Sequence, residues 1–208
     1  MHVFFPFFHK AYVDKYLHCE RGENNMHDHL CKILYSKEQL QTKAQELGEQ
    51  ITADYQNKSL VVIGILKGAV IFLSDLIREI KLPLELDFMV ISSYGKSTHA
   101  SGVVRILKDL DKDIAGKDVL IVEDIVDTGL TLSYLKENLH TRGPASMKIC
   151  TLLDKPSRRK VILNPDYRGY SIPDEFAVGY GMDYGERYRN LPYVGVLKPE
   201  YIVINEQT

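Results

Sequence analysis

The chain has no marked excess of either charge: its 208 residues carry 26 Lys and Arg against 28 Asp and Glu. That balance argues against nucleic acid as its main partner. It lacks CxxC spacing as well. Its three cysteines, Cys19, Cys31 and Cys150, are an odd number, which reads as reduced thiols in a cytoplasmic protein and not as a disulfide framework. No apolar run approaches the roughly 20 residues needed to span a bilayer. The patch Val3-Phe4-Phe5-Pro6-Phe7-Phe8 has no basic residues before it and no small-residue cleavage site after it, so it does not read as a signal peptide. Two nucleotide-binding fingerprints are also missing. Gly95-Lys96-Ser97 has Val90 where a P-loop needs its first Gly, and Gly179, Gly181 and Gly185 are mis-spaced for GxGxxG.

The stretch from Asp118 to Thr131 dominates what is present. Val119 to Val122 is an apolar run suited to a strand buried on both faces of a parallel sheet, and two carboxylates, Glu123 and Asp124, follow it. Asp127-Thr128-Gly129-Leu130-Thr131 then supplies a Gly, two hydroxyls and free backbone N–H groups where a helix should begin. Such a turn at a helix N-terminus is an anion cradle. Acids beside a phosphate cradle suit a sugar phosphate, its hydroxyls and a bound cation.

Glu123 to Thr131, set after an apolar strand, resembles the 5-phosphoribosyl-1-diphosphate (PRPP) motif of the type I phosphoribosyltransferases, and is close to its form in the hypoxanthine-guanine branch. The resemblance covers about Lys32 to Tyr201 and leaves residues 1–31 outside. It implies an α/β fold with a mainly parallel central sheet flanked by helices, a small hood subdomain and a mobile catalytic loop.

At this length the chain reads as one domain with room for a small subdomain. Residues 1–25 match no element of the fold and read as a poorly ordered extension or an upstream start. The folded domain is expected from Met26 to Thr208, with a hood built from about 26–36 and 165–208. His27, His29 and Cys31 have strand-like spacing but no fourth ligand, so they read as ordinary polar residues and not a metal site. Ser36 with Gln39 is a capping-box signal for a helix carrying Leu40, Ala44, Leu47, Ile51 and Tyr55 at helical spacing. Ser59 to Leu66 is a buried-strand run, followed by Lys67-Gly68-Ala69 and a helix over about Val70 to Lys81. Leu84 to Ser93 is a third strand, and Leu132, Leu135 and Leu139 mark a helix stopped by Gly143-Pro144. Met147 to Leu153 is the next buried strand, and Tyr193 to Leu197 the last. Repeated strand-helix-strand units make the crossovers βαβ.

The remaining roles follow from the resemblance. The 5′-phosphate would sit on Asp127, Thr128, Gly129, Leu130 and Thr131, and Asp127 would be the general base. Glu123 and Asp124 would bind ribose hydroxyls and Mg²⁺, with a second Mg²⁺ at Asp183. Lys67 and Gly68 would receive diphosphate across a cis peptide after Leu66, assisted by Arg189. Ala69 stands where Gly is common and should stiffen this loop slightly. Lys155 would donate to the purine O6, Phe176 would stack on the base, and the carbonyl of Ala177 would accept from its edge, with Asp183 nearby. Arg158, Arg159 and Lys160 read as a solvated face or a subunit contact. Residues 94–102, with Ser93-Tyr94 at their base, resemble the catalytic lid. Plainer readings stay open for Lys67 as a surface lysine, the lid as a hairpin loop and Phe176 as core. The implied reaction makes IMP or GMP and pyrophosphate from PRPP and hypoxanthine or guanine, in a homodimer or homotetramer without nucleic-acid or membrane partners. The rivals are a regulator that keeps the fold and an enzyme for another base. Lys155 favours a 6-oxopurine, because an ammonium has donors and no acceptor.

Overall fold

The computed structural model describes residues 26–93 and 104–204. The expected N-terminal extension and the lid therefore lie outside the described residues. A 3₁₀ turn at Met26–His29 leads into β1 (Leu30–Tyr35). Helix α1 (Lys37–Asp54) begins at the expected capping box: the Ser36 hydroxyl accepts from the Gln39 N–H at 3.4 Å, and the Gln39 side chain accepts from the Ser36 N–H at 2.8 Å. Then come β2 (Leu60–Leu66), α2 (Val70–Glu79), β3 (Glu85–Ser93) and β4 (Val104–Lys108). The second half holds β5 (Asp118–Val126), α3 (Leu130–His140), β6 (Ser146–Asp154), β7 (Tyr167–Ser171), β8 (Ala177–Val178), β9 (Val194–Leu197) and α4 (Pro199–Ile204).

Six strands form the main sheet in the order β4-β3-β2-β5-β6-β7. Every pairing is parallel except β3 with β4. Strand residues alternate between two cores, as a sheet covered on both faces requires. Leu60, Val62, Leu120 and Leu152 pack with Leu40, Leu47 and Ile51 of α1 and Phe72 and Leu76 of α2. On the opposite face Val61, Ile63, Ile121 and Ile149 meet Leu132, Leu135 and Leu139 of α3. Each such fully buried side chain contributes about 1.5–3 kcal/mol of transfer free energy.

Three findings refine the expectations. Strand β5 runs on through Glu123 and Asp124 to Val126, because its ladder with β6 continues to the Val126 and Asp154 pair. The two carboxylates are thus part of a strand and not of a loop after it. Tyr167–Ser171, expected in the smaller unit, is instead the edge strand of the main sheet beside β6. The second sheet is small and antiparallel, in the order β1-β9-β8.

From β2 the chain moves to β3 on one side, and from β5 to β6 and β7 on the other. The order therefore reverses between β2 and β5. In open α/β sheets ligands bind outside the carboxyl ends of the strands at that reversal.

Candidate active site

A pocket of about 260 Å³ opens at that reversal, lined by Leu66 at the end of β2 and Gly68 after it, by Glu123, Asp124 and Asp127 from β5 and its turn, and by Thr128, Gly129 and Thr131. Seven of the residues expected to hold the sugar phosphate and diphosphate therefore share one cavity. Leu130, Lys67 and Arg189, also expected to hold these groups, are not among its lining residues. Gly129 stands at the helix N-cap with φ +79°, a left-handed conformation, and a Cβ there would lie 3.0 Å from Arg159 Cδ. No side chain caps α3 at that position. The Leu130 N–H donates to the Thr128 hydroxyl at 3.4 Å, and Thr131 and Leu132 of the same first turn face the pocket, as an anion cradle at a helix N-terminus requires.

The loop expected to take diphosphate carries the expected cis peptide between Leu66 and Lys67. Gly68 is fixed there by close approach on two sides. A Cβ on Gly68 would come within 1.9 Å of Asp124 Oδ2, and one on Gly181 would lie 2.0 Å from the Gly68 carbonyl oxygen. Ala69 is fully buried in ordinary right-handed helical backbone, so its methyl is accommodated without strain. We predict that Gly68→Ala raises KM for PRPP about tenfold or more by displacing either the loop or the Asp124 carboxylate, with folding retained. Steady-state kinetics beside a melting curve would check it.

The acids sit in an unusual electrostatic setting. Burial, reinforced by the neighbouring Asp124 charge, holds the Glu123 carboxyl well above the usual range. Burial likewise pushes Asp124 up to about 6, against the opposing pull of local backbone N–H groups and Arg189. Glu123 Oε2 is shielded from solvent and has no hydrogen-bond partner. A half-buried carboxylate with one orphaned, shielded oxygen, next in sequence to a second half-buried carboxylate, is a donor set that fits a hard divalent cation. Among the described residues no three His, Cys, Asp or Glu side chains converge into a metal cage, and that includes His27, His29 and Cys31. His29 instead lies 2.9 Å from the Tyr188 hydroxyl and stacks on Tyr201 with ring centroids 3.9 Å apart. Carboxyls that hold protons more tightly when folded stabilise the chain in acid, and that contribution is lost as pH rises through about 6 for Asp124. Glu123→Gln should therefore raise the ligand-free melting temperature by a few degrees at neutral pH while lowering activity. Paired melting curves and assays would test that trade.

Asp183, Glu186 and Arg189 close the other side. The Asp183 carboxylate accepts from the Glu186 N–H at 2.9 Å and pairs with Arg189 at 2.8 Å. Arg189 also donates to the Gly181 carbonyl at 2.8 Å, and its Nε is buried without a partner. Glu186 Oε2 meets both cations expected to take diphosphate, Lys67 Nζ at 3.0 Å and Arg189 at 3.4 Å. Glu186 and Gly181 were not anticipated as site residues. No short motif marks them, because their role lies in contacts with residues more than a hundred positions earlier.

Lys155 is 7% exposed. Its backbone N–H donates to the Val126 carbonyl at 2.9 Å, which sets it beside the β5 turn. Burial pulls its ammonium pKa down, with Asp127 and Asp174 opposing. Phe176 is half-buried and meets Tyr184 edge to face at a centroid distance of 5.3 Å. Ala177 opens β8. The basic run departs from expectation, since Arg158 and Arg159 are not a solvated face. The Nε of Arg158 donates to Asp127 Oδ1 at 3.0 Å, and Arg159 donates to the Asp127 carbonyl at 2.5 Å and pairs with the buried Asp154. Only Lys160 is exposed.

The chain is similar to known proteins over most of its length. Residues 32–185 match the family described as the phosphoribosyl transferase domain. The hypoxanthine-guanine phosphoribosyltransferase of Bacillus subtilis (strain 168) is 56% identical over 168 residues, or 81% of this chain and 93% of that protein. The crystal structure of a hypoxanthine phosphoribosyltransferase from Staphylococcus aureus superposes with a TM-score of 0.83 at 52% identity, covering 86% of this chain and 98% of that one. The bifunctional protein TilS/HprT of Listeria innocua is 50% identical over 191 residues, 92% of this chain, but the match spans only 30% of that longer protein. Those 191 residues exceed the 183 from Met26 onward, so at least eight of the first 25 fall within that match.

Proposed function

The chain belongs to the phosphoribosyl transferase family, and we propose that its pocket transfers phosphoribose to hypoxanthine or guanine. The products would be IMP or GMP and pyrophosphate, a purine-salvage reaction. One observation carries this reading: the phosphate cradle, the acid pair and a buried lysine beside Asp127 all lie at the carboxyl ends of β2, β5 and β6.

In the proposed mechanism the 127–131 turn holds the 5′-phosphate through its N–H groups and the Thr128 and Thr131 hydroxyls. Glu123 and Asp124 would hold the ribose hydroxyls and Mg²⁺, and Asp183 a second Mg²⁺. The ion, when bound, would neutralise charge on the diphosphate. Mg²⁺ usually takes only one or two carboxylates and completes its shell with water and phosphate oxygens, so a protein-only cage is not required. Diphosphate would displace Glu186 from Lys67 and Arg189 and settle on the loop at Gly68. As the C1′–O bond to diphosphate breaks and purine N9 bonds to C1′, Asp127 takes the proton from N7. Catalysis is then chiefly positioning and charge stabilisation. Lys155 donates to O6, Phe176 stacks on the ring, and the Ala177 carbonyl accepts from its edge. The small sheet that carries Ala177 would serve as the hood. Assembly as a homodimer or homotetramer in the cytoplasm belongs to the same proposal, and light scattering on the purified chain reads the first.

PRPP-dependent pyrophosphate release, measured with hypoxanthine, guanine, xanthine, adenine and uracil in turn, tests the reading. Turnover should be confined to 6-oxopurines. Fast turnover of adenine or uracil would replace this assignment with another base.

A further inference from the structure

Two charged residues beside Asp127 and Lys155, Arg158 and Asp174, have no part in the mechanism above. Arg158 ends the 3₁₀ turn Pro156–Arg158 that follows β6, and its N–H donates to the Lys155 carbonyl at 3.1 Å. The turn is fastened to the phosphate cradle, since the Lys160 N–H donates to the Thr128 carbonyl at 2.9 Å. From this anchored position the Arg158 guanidinium reaches two carboxylates, with Nε on Asp127 Oδ1 at 3.0 Å and an NH1 on Asp174 Oδ2 at 3.4 Å. The other oxygen of Asp174 lies 4.0 Å from Lys155 Nζ. Asp127, Arg158, Asp174 and Lys155 thus form a chain of alternating charge with no net charge. It links the proton acceptor of the proposed reaction to the donor proposed to read O6.

We propose that Arg158 is a positioning residue of the purine half-site. It holds the Asp127 carboxylate by Oδ1, so that Oδ2 is the oxygen presented to the base, and it holds Asp174 against the Lys155 ammonium. One planar guanidinium then sets the spacing of the two groups that recognise a 6-oxopurine, and a lysine, a point charge, cannot bridge both carboxylates in this way. The proposal rests on the reading of Asp127 and Lys155 given above.

The arrangement does little for stability. The Arg158 side chain is 24% exposed and both carboxylates are 43% exposed, and ion pairs this open contribute little to folding. That separates a positioning role from a merely structural one. In the intact 208-residue chain, Arg158→Gln should leave the melting temperature nearly unchanged and KM for PRPP within about twofold. It should lower kcat/KM for guanine and hypoxanthine about tenfold or more and narrow their preference over adenine, as expected when catalytic groups lose their alignment. Asp174→Asn should weaken the same purine preference, and Arg158→Lys should recover only part of the loss. Native-like purine kinetics in Arg158→Gln would overturn the proposal. So would full recovery in Arg158→Lys, or a common loss in PRPP and purine parameters with a lower melting temperature. If the native chain turned over no 6-oxopurine, the functional reading itself would fall. Turnover by the native chain with unaltered Arg158→Gln would remove the clamp alone.

Discussion

Replacing Asp127 by Asn should cut kcat for hypoxanthine by about 100-fold or more while KM for PRPP stays close to native. The substitution is nearly isosteric, and the structure shows what it would spare. Arg158 Nε donates to Oδ1 at 3.0 Å, and the amide oxygen of Asn can accept that bond. The backbone carbonyl, bound to Arg159 at 2.5 Å, is untouched, as are the N–H groups of the cradle. What disappears is basicity at the second oxygen. A carboxylate that takes a proton in the transition state contributes typically 10²- to 10⁴-fold, and one that only helps hold the ground state would show its loss mainly in KM. Steady-state kinetics in both substrates separate the two. Near-native turnover would remove Asp127 as the general base.

The second large effect is expected at Lys155. The native chain should discriminate strongly against adenine, because an amino group at C6 leaves the lysine donor unmatched. A buried donor without its acceptor costs about 1–3 kcal/mol, and a charged one more. Sites built around such a bond can reject the wrong analogue by factors up to about 10⁴. The setting raises the stakes: Lys155 is 7% exposed, its pKa is drawn down by burial, and its nearest carboxylate oxygen, on Asp174, is 4.0 Å away. Lys155→Gln offers both a donor and an acceptor. It should lower kcat/KM for hypoxanthine and guanine and narrow their lead over adenine. A uniform slowing of all three bases would show that Lys155 does not read the C6 substituent.

Much of the frame was legible because it rests on local chemistry. The Ser36 and Gln39 cap, the apolar runs of β2, β5 and β6, and the turn from Asp127 to Thr131 each carry their signal within a few residues. What escaped depends on distant partners. Strand β7, Tyr-Arg-Gly-Tyr-Ser, is short and polar, and becomes a strand only through its ladder to β6. Glu123 and Asp124 follow the apolar run, so the pattern places them after the strand, whereas backbone pairing carries β5 on to Val126. A basic run such as Arg158-Arg159-Lys160 reads as a solvated face or a subunit contact. Its contact with Asp127, 31 positions earlier, exists only after β5 and β6 are side by side. Glu186 and Gly181 are likewise site residues by virtue of Lys67 and Gly68.

The central claim is that this pocket transfers phosphoribose to a 6-oxopurine. It is tested most directly by incubating the native chain with PRPP, Mg²⁺ and equal amounts of hypoxanthine and adenine, then separating the nucleotides formed. The account predicts IMP with an equal amount of pyrophosphate and almost no AMP. AMP formed as fast as IMP, or pyrophosphate released without any nucleotide, would contradict it.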